Sequence, residues 1–394
     1  RSTRGARGRR VTMSDRDRKT AQEGASEISP ELARLRDQID VVDREILAKL
    51  NERARLVQRV GDLKRSRRAP VYVASRERDL VEALAGANEG PFPDAGIAHV
   101  FREIISATRS LEEIARVAFL GPEGTFSHQA AVRQFGALVE LAPAHTIRDV
   151  FEWVERGDAH YGVVPVENTT EGAVTQTYDA LVESDVTLCG ELLLDVSLDL
   201  MSQGRELSEV RRLASHPQPL AQCRDWIHRR LPGIETIETA STVAAAELAV
   251  RDPEVAAIGS AVAAEAHGLS ILERGIEDRR GNATRFLVIG RVPPLPSRDD
   301  LTSAVFTVRK DQSGTLYHLL EPFARYGVNL SAIQSRPMKG KPWEYLFFVD
   351  MEGHISDDAV GKALDEAAAT AHSHKVLGSY PRAARPGVRE GKRD

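Results

Sequence analysis

Only two cysteines, Cys189 and Cys223, occur in 394 residues. Two thiols cannot build a disulfide framework or a structural zinc site, so a reducing, cytoplasmic setting is expected. Basic charge is not in excess either. The net charge is −5, which gives no global field for nucleic acid. No apolar run is long enough to cross a bilayer, and no signal-peptide core is present, so no membrane partner is expected. No segment repeats. Metal-ligand spacing, a Ser–His–Asp order and a nucleotide-type phosphate loop are missing too, so neither metal nor cofactor is expected. His128, His216 and His267 are scattered and read as structural.

What is present is an ordinary soluble balance, with 42% hydrophobic and 28% charged residues, enough to fill real cores. The length suggests roughly two to four domains. Residues 1–19 are Arg-rich and lack an apolar face, so 1–28 are expected to form a disordered leader. Met13 is a candidate start of translation, and Asp15, Asp17, Glu23 and Glu27 argue against a transit peptide.

From Pro30 the apolar positions Leu32, Leu35, Ile39, Val42, Ile46, Leu50, Ala54, Val57 and Val60 recur in steps of three and four. That is an amphipathic helix, started by Ser29 and Pro30 and running to a break at 65–70. It should be roughly 50 Å long, too long for one small domain to cover, so a helix from a second copy is expected on it. Arg53 and Lys64 are eleven residues apart and share a side. Arg36 sits about a quarter-turn away and cannot line the same pocket from the same chain. A second helix opens at Ser75, and a third is expected over 94–113, carrying Thr108 and Glu112. For any one of these residues, a solvated bundle face with surface ion pairs is the plainer reading.

Leu35-Arg36-Asp37-Gln38-Ile39-Asp40, Asn51-Glu52-Arg53, Asp62-Leu63-Lys64, Ser75-Arg76-Glu77-Arg78 and Glu103-Ile104-Ile105-Ser106 together resemble the all-helical chorismate mutase module. The resemblance implies a site that holds the dicarboxylate chorismate folded for a pericyclic shift to prephenate. Such a shift needs no nucleophile, only the reactive conformer and stabilisation of charge on the ether oxygen. Arg53, with Arg36 from a second copy, would hold carboxylates. Lys64 and Glu112 would reach the ether oxygen, with Thr108 beside Glu112, and Arg76 and Glu77 would bind the remaining carboxylate and the ring hydroxyl. Val73 stands where some members have Asp, and Thr108 and Glu112 where some have Ser and Gln. Glu112 must therefore be protonated to donate, which burial would favour. Mutase activity should fall as pH rises, and a flat profile across neutral pH would contradict that role.

After Arg116 the pattern becomes an alternation of strands (117–120, 161–166, 186–194, 196–201, 212–214, 234–239, 256–259) and helices (128–135, 147–156). That is an α/β domain whose sites belong at strand carboxyl ends. Those ends repeatedly carry Thr, Ser, Asn, Gln or Glu. Taken singly, Ser215, Ser241 and Ser260 are more often helix caps; taken together they favour a polar pocket. The stretch Gly281-Asn282-Ala283-Thr284-Arg285-Phe286-Leu287-Val288-Ile289-Gly290 sets a hydroxyl and a guanidinium at the lip of a buried strand.

This segment resembles prephenate dehydratase, on Gly121-Pro122-Glu123-Gly124-Thr125-Phe126-Ser127, Pro165-Val166-Glu167-Asn168-Thr169, Ser215-His216-Pro217-Gln218 with Gln222, Ser241-Thr242, and Thr284-Arg285-Phe286. The resemblance implies two lobes like a periplasmic-binding protein, crossed twice by the chain, with Thr284 beside the cleft. The implied reaction is loss of carbon dioxide and water from prephenate. Thr284, Asn168, Ser215 and Gln222 would donate hydrogen bonds near the departing hydroxyl, and Glu167 would be the acid. Thr125, Ser127, Thr169, Ser241, Thr242 and Phe286 would line the substrate. Arg285 would either anchor a carboxylate or structure the cleft.

Past the linker Val292-Pro293-Pro294-Leu295-Pro296-Ser297, a β-α-β-β-α-β order reads as a ferredoxin-like fold. Ser313-Gly314-Thr315-Leu316, Ser335-Arg336-Pro337 and Lys341-Pro342-Trp343-Glu344 resemble the ACT domain of phenylalanine-regulated enzymes, with Gln334 replacing the usual Glu. Gly314, Thr315, Leu316, Gln334, Ser335, Arg336 and Pro337 would form the allosteric site. A structural dimerisation module is the plainer alternative. The expected layout is a mutase domain at 29–115, a dehydratase domain at 116–291, an ACT domain at 301–381 and a mobile tail at 382–394. As a whole the chain resembles the bifunctional P-proteins, which implies a homodimer that converts chorismate and prephenate and is inhibited by phenylalanine. Arogenate dehydration and a catalytically dead amino-acid sensor are the alternatives.

Overall fold

The computed structural model describes residues 30–67, 74–111, 114–136, 138–279, 281–297, 299–308, 313–338 and 344–383. The chain divides into two bodies, residues 1–56 and 57–394.

Helix α1, Pro30–Arg67, runs as its apolar spacing requires. Within the first body its stripe Leu32, Leu35, Ile39, Val42 and Ile46 is exposed. Helices α2, Ala74–Gly86, and α3, Asp94–Arg109, follow. α3 stops short of the expected 113. Ser110 closes it, its N–H donating to Ser106 O and its Oγ to Ala107 O at 2.8 Å, while the Leu111 N–H donates to Thr108 O. Side-chain back-bonding of this kind favours a helix end over continuation.

The first α/β lobe contains β1 (Arg116–Leu120), α4 (Phe126–Phe135), β2 (Glu140–Ala144), α5 (Ile147–Arg156), β3 (Tyr161–Asn168), β4 (Gly172–Ala173), α6 (Thr175–Glu183), β5 (Thr187–Asp195) and, much later, β11 (Ala283–Gly290). Its sheet runs β2-β1-β3-β11-β5, with β4 on the end of β3. The second lobe contains β6 (Asp199–Ser202), β7 (Arg212–Ser215), α7 (Pro217–Gln222), α8 (Arg224–Arg230), β8 (Glu235–Glu238), α9 (Thr242–Arg251), β9 (Val255–Gly259), α10 (Ala261–His267) and β10 (Ser270–Glu273), with sheet order β10-β6-β9-β7-β8. The expected strand at 196–201 begins only at Asp199, because residues 196–198 carry the chain from one sheet to the other. The return, between Glu273 and Ala283, delivers Gly281 and Asn282 to the seam.

β11 lies between two antiparallel neighbours, so both of its edges are paired. Phe286 and Val288 pack with Val117, Phe119, Phe135 and Val163 on the α4 side. Leu287 and Ile289 pack on the other side, with Val150 and Phe151 of α5 and Tyr178 of α6.

The last region forms a four-stranded antiparallel sheet, β13-β14-β12-β15, from β12 (Asp300–Val308), β13 (Leu330–Pro337), β14 (Tyr345–Glu352) and β15 (Ser373–Pro381). Helices α11 (Thr315–Arg325) and α12 (Asp358–Thr370) cover one face, around Phe306, Phe323 and Leu364. Gly314 opens α11 at φ +82°, a left-handed position that suits glycine. The other face of this sheet, through Leu301, Val305, Leu346 and Phe348, joins the core of the first lobe.

Candidate active site

The end of β3 and the start of β11 carry the densest polar geometry. A β-bulge between Arg285 and Phe286 sets Thr284 opposite Asn168 and Arg285 opposite Glu167. Bulges re-aim side chains in this way. Asn168 Nδ2 donates to Thr284 Oγ1 at 2.9 Å. The amide cannot turn over, because Asn168 Oδ1 accepts from the N–H groups of Thr170 (2.9 Å) and Glu171 (3.3 Å). Thr284 Oγ1 is therefore an acceptor toward Asn168 and keeps its own hydrogen to donate elsewhere.

Asn282 extends this cluster across the seam. Its Oδ1 accepts from Thr169 Oγ1 (3.2 Å) and Thr170 Oγ1 (2.8 Å), and its Nδ2 donates to Gln222 Oε1 at 3.4 Å. Gln222 belongs to the second lobe, so the structure brings Thr284, Asn168, Thr169 and Gln222 together. Asn282 was not singled out as a site residue from the sequence. Its place beside Gly281, read only as a turn, was the available signal.

The loop before α4 meets the second lobe as well. A Cβ on Gly124 (φ +85°) would lie 3.4 Å from Val243 Cγ2 and 3.5 Å from Ala263 Cα, at the starts of α9 and α10. Ser260 Oγ donates to Gly124 O at 3.1 Å and binds one lobe to the other. His128 Nδ1 accepts from Gly124 N at 3.0 Å, and its ring stacks on Phe119. Burial lowers its pKa, Glu123 opposing, and the neutral ring suits that acceptor role.

Other expected residues have plainer duties. Thr125 caps α4, with Oγ1 accepting from His128 N at 3.2 Å and donating to Pro122 O at 2.9 Å. Ser241 caps α9 through Ala244 N, Thr242 is the first residue of that helix, and Ser127 is buried in α4. Ser215 is fully buried and donates to Ile258 O at 2.8 Å across the β7–β9 pair, so its hydrogen is not offered to a substrate. Phe286, expected against substrate, is 1% exposed inside the α4 core. Glu167, expected as the acid, is exposed and lies beside Arg285 rather than Thr284, one residue on from Val166 of the α5–α6 core.

Arg285 resolves toward structure. Nε donates to Glu191 Oε2 and Nη1 to Asp350 Oδ2, both at 2.7 Å, and Nη2 to Tyr380 OH at 3.1 Å. Ser303 Oγ completes the ring with bonds to Asp350 Oδ1 (2.5 Å) and Tyr380 OH (2.8 Å). Burial opposes the charge of Arg285, but the carboxylates of Asp350 and Glu191 outweigh it and raise its pKa. Burial, then Asp350, push the Tyr380 hydroxyl far up, so it stays neutral. With two carboxylates already on it, this guanidinium holds none for a substrate. Asp350, Tyr380 and Ser303 all come from the last sheet, so the residue next to Thr284 is fastened to that domain.

In the helical region, Arg36 is exposed and Arg53 half-buried on α1. Thr108 is buried, and its Oγ1 donates to Ile104 O at 2.8 Å. Glu77 lines a cavity of about 310 Å³ with Arg102, Arg133 and Glu191. The side chains of Lys64 and Arg76, all of Glu112 and the Lys341-Pro342-Trp343 part of the last motif lie outside the described residues. Gly314, Thr315 and Leu316 begin α11, and Ser335 and Pro337 are exposed on β13, whereas Gln334 and Arg336 are half-buried. Among the described residues no helix is long and apolar enough to cross a membrane. No cluster of metal-ligating side chains is found among them either.

Three family models match in order: Chorismate mutase type II over residues 35–113, Prephenate dehydratase over 117–294 and ACT domain over 302–369. A bifunctional chorismate mutase/prephenate dehydratase of Aquifex aeolicus is 47% identical over 357 residues, 90% of this chain and 98% of that one. Among solved structures, a prephenate dehydratase of Arthrobacter aurescens in complex with L-Phe superposes with a TM-score of 0.63 at 34% identity, over 68% of this chain and 90% of that one. A protein described as a quorum-quenching acylase gives a TM-score of 0.62 at 32% identity, over 69% of this chain and 98% of that one. With all three modules in this order and the relative matched over nearly its full length, the chain belongs to the bifunctional chorismate mutase/prephenate dehydratase family.

Proposed function

We propose that the chain rearranges chorismate to prephenate in its helical domain (29–115), and that the α/β domain (116–291) converts prephenate to phenylpyruvate, carbon dioxide and water. Phenylalanine acting on the ACT domain (301–381) inhibits the second step. The observation that carries the dehydratase assignment is the Asn168–Thr284 hydrogen bond at the seam of the two lobes. As the carboxylate carbon leaves, its bonding pair enters the ring and the ring carbon–hydroxyl bond breaks. Negative charge develops on the departing oxygen, and Thr284, fixed by Asn168, directs its hydrogen there. A threonine hydroxyl is too weak an acid to surrender that proton outright, so its work is positioning and electrostatic stabilisation, and the proton that turns the departing hydroxide into water comes from solvent. Gln222 and Asn282 hold the seam around it. Supplying purified protein with chorismate tests the reading. Prephenate and then phenylpyruvate should form, the second more slowly with phenylalanine present; neither product would refute it.

The mutase works as a homodimer in the cytoplasm. Ile39 is 58% exposed and Leu35 51% exposed on the α1 stripe, an apolar face that a second α1 would cover. Arg36 then reaches the partner's Arg53 pocket, with Lys64, Glu112, Arg76, Glu77 and Thr108 in the roles given above. Ile39→Glu is expected to split the dimer and cut mutase turnover at least about tenfold, about 1.4 kcal/mol of barrier. Sedimentation and separate assays of the two activities check it. A dimeric, fully active variant would contradict the dimer.

A further inference from the structure

β13 is an edge strand whose residues alternate between exposed and half-buried. Ile333, Ser335 and Pro337 face outward, whereas Gln334 and Arg336 face the dehydratase lobe. Strand periodicity thus splits the motif expected to read phenylalanine between two faces. Arg336 Nη1 donates to Thr175 O at 2.6 Å, and Nη2 lies 3.3 Å from Asp179 Oδ1, with the two side chains 14% and 20% exposed. Its guanidinium also stands 5.9 Å from the centre of the Tyr178 ring. All three contacts fall on the first half of α6.

The far end of α6 is held by the same domain. Lys375 of β15 donates to Leu181 O at 2.8 Å and to Ser184 O. Tyr178, between the two anchors, packs edge-on against Phe348 of β14 at 4.7 Å. Helix α6 is therefore gripped at both ends by the regulatory sheet. It is also joined directly to the catalytic turn. β4, immediately before it, pairs with Glu167 and Asn168, and Thr177 Oγ1 donates to Pro165 O at 2.5 Å. The neighbouring face of β13 reaches the other member of the pair. Gln334 lines a cavity of about 20 Å³ with Arg285, Asp350 and Tyr380, next to Thr284 in the chain.

We propose that Arg336 transmits inhibition rather than binding the effector: phenylalanine on the outer face of β13 moves the strand, the Arg336–Asp179 pair draws α6 with it, and Asn168 is pulled off Thr284. This rests on the reading of Asn168 and Thr284 as the dehydratase pair. A sub-ångström shift is enough, because a hydrogen bond of 2.9 Å weakens steeply with distance and angle. The residues of α6 that make the link touch neither substrate nor effector, so the link can be cut without damaging either site.

Asp179→Asn in the full-length chain is the test, with Arg336→Met and the double variant completing a cycle. Phenylalanine binding is followed by calorimetry, and dehydratase rate is measured with and without saturating phenylalanine. The expected result is that Asp179→Asn still binds phenylalanine and keeps its uninhibited rate, while its rate at saturating phenylalanine rises at least about fivefold over wild type, the low end of ordinary coupling. Arg336→Met should behave alike, and the double variant should add nothing. Inhibition as complete as in wild type would overturn the proposal. So would loss of phenylalanine binding in either variant, which would place these residues in the effector site itself. Additive effects in the double variant would overturn it too. A wild-type chain that does not turn over prephenate at all would instead sink the dehydratase reading, so the two failures are distinguishable.

Discussion

Asp350→Ala is expected to lower the stability of the dehydratase–ACT body by about 3–5 kcal/mol, the usual cost of stripping one partner from a buried ion pair. Arg285 and Asp350 are 14% and 15% exposed at the side chain, so solvent cannot take over the lost interaction. Of the two carboxylates only Glu191 would then face the guanidinium, and Ser303, which also bonds Tyr380, would lose its acceptor. Asp350→Asn keeps an acceptor and should cost less. Urea unfolding followed by tryptophan fluorescence measures both. A loss under about 1 kcal/mol, typical of exposed pairs, would mean the cluster is wetter than described. Because Arg285 directly follows Thr284, the same variant should also slow prephenate turnover.

Thr284→Ala is expected to cut dehydratase kcat at least about tenfold, about 1.4 kcal/mol of barrier, with a smaller change in KM. The reason is geometric. Asn168 already satisfies the threonine oxygen, so what the substitution removes is a hydrogen aimed at charge that develops only as the hydroxyl departs. Thr284→Ser should recover most of the rate, and Thr284→Val, of similar shape, should not. Steady-state assays on prephenate separate these outcomes. An unchanged kcat in the alanine variant would take Thr284 out of the mechanism.

How much of this was legible in the sequence depended on how local each signal was. β11 and α1 were plain, because an apolar run and a three-four spacing are written within a few residues. β2 was missed, since Pro143 argues against a strand; it is tolerated because β2 is the outermost strand of its sheet. Helix α6 was missed because it is short and its buried face mixes Thr177 and Tyr178 with Ala180 and Leu181. The site divided in the same way. Thr284 and Asn168 sit at strand ends, where α/β sites belong, although 116 residues separate them. The fates of Ser215 and Arg285 were not legible. Ser215 is committed to a carbonyl on a neighbouring strand 43 residues away, and the carboxylates of Arg285 are 94 and 65 residues distant. The pairing of Glu167 with Arg285 was not legible either, as the bulge beside it leaves no mark in composition.

The two reactions are assigned to separate parts of one chain, with the second depending on one hydroxyl. Supplying chorismate to the Thr284→Ala protein and following both products with time tests that most directly. Prephenate should appear at the wild-type rate and accumulate, with phenylpyruvate trailing at least about tenfold behind its wild-type rate. Phenylpyruvate keeping pace with the wild type, or prephenate failing to form, would contradict it.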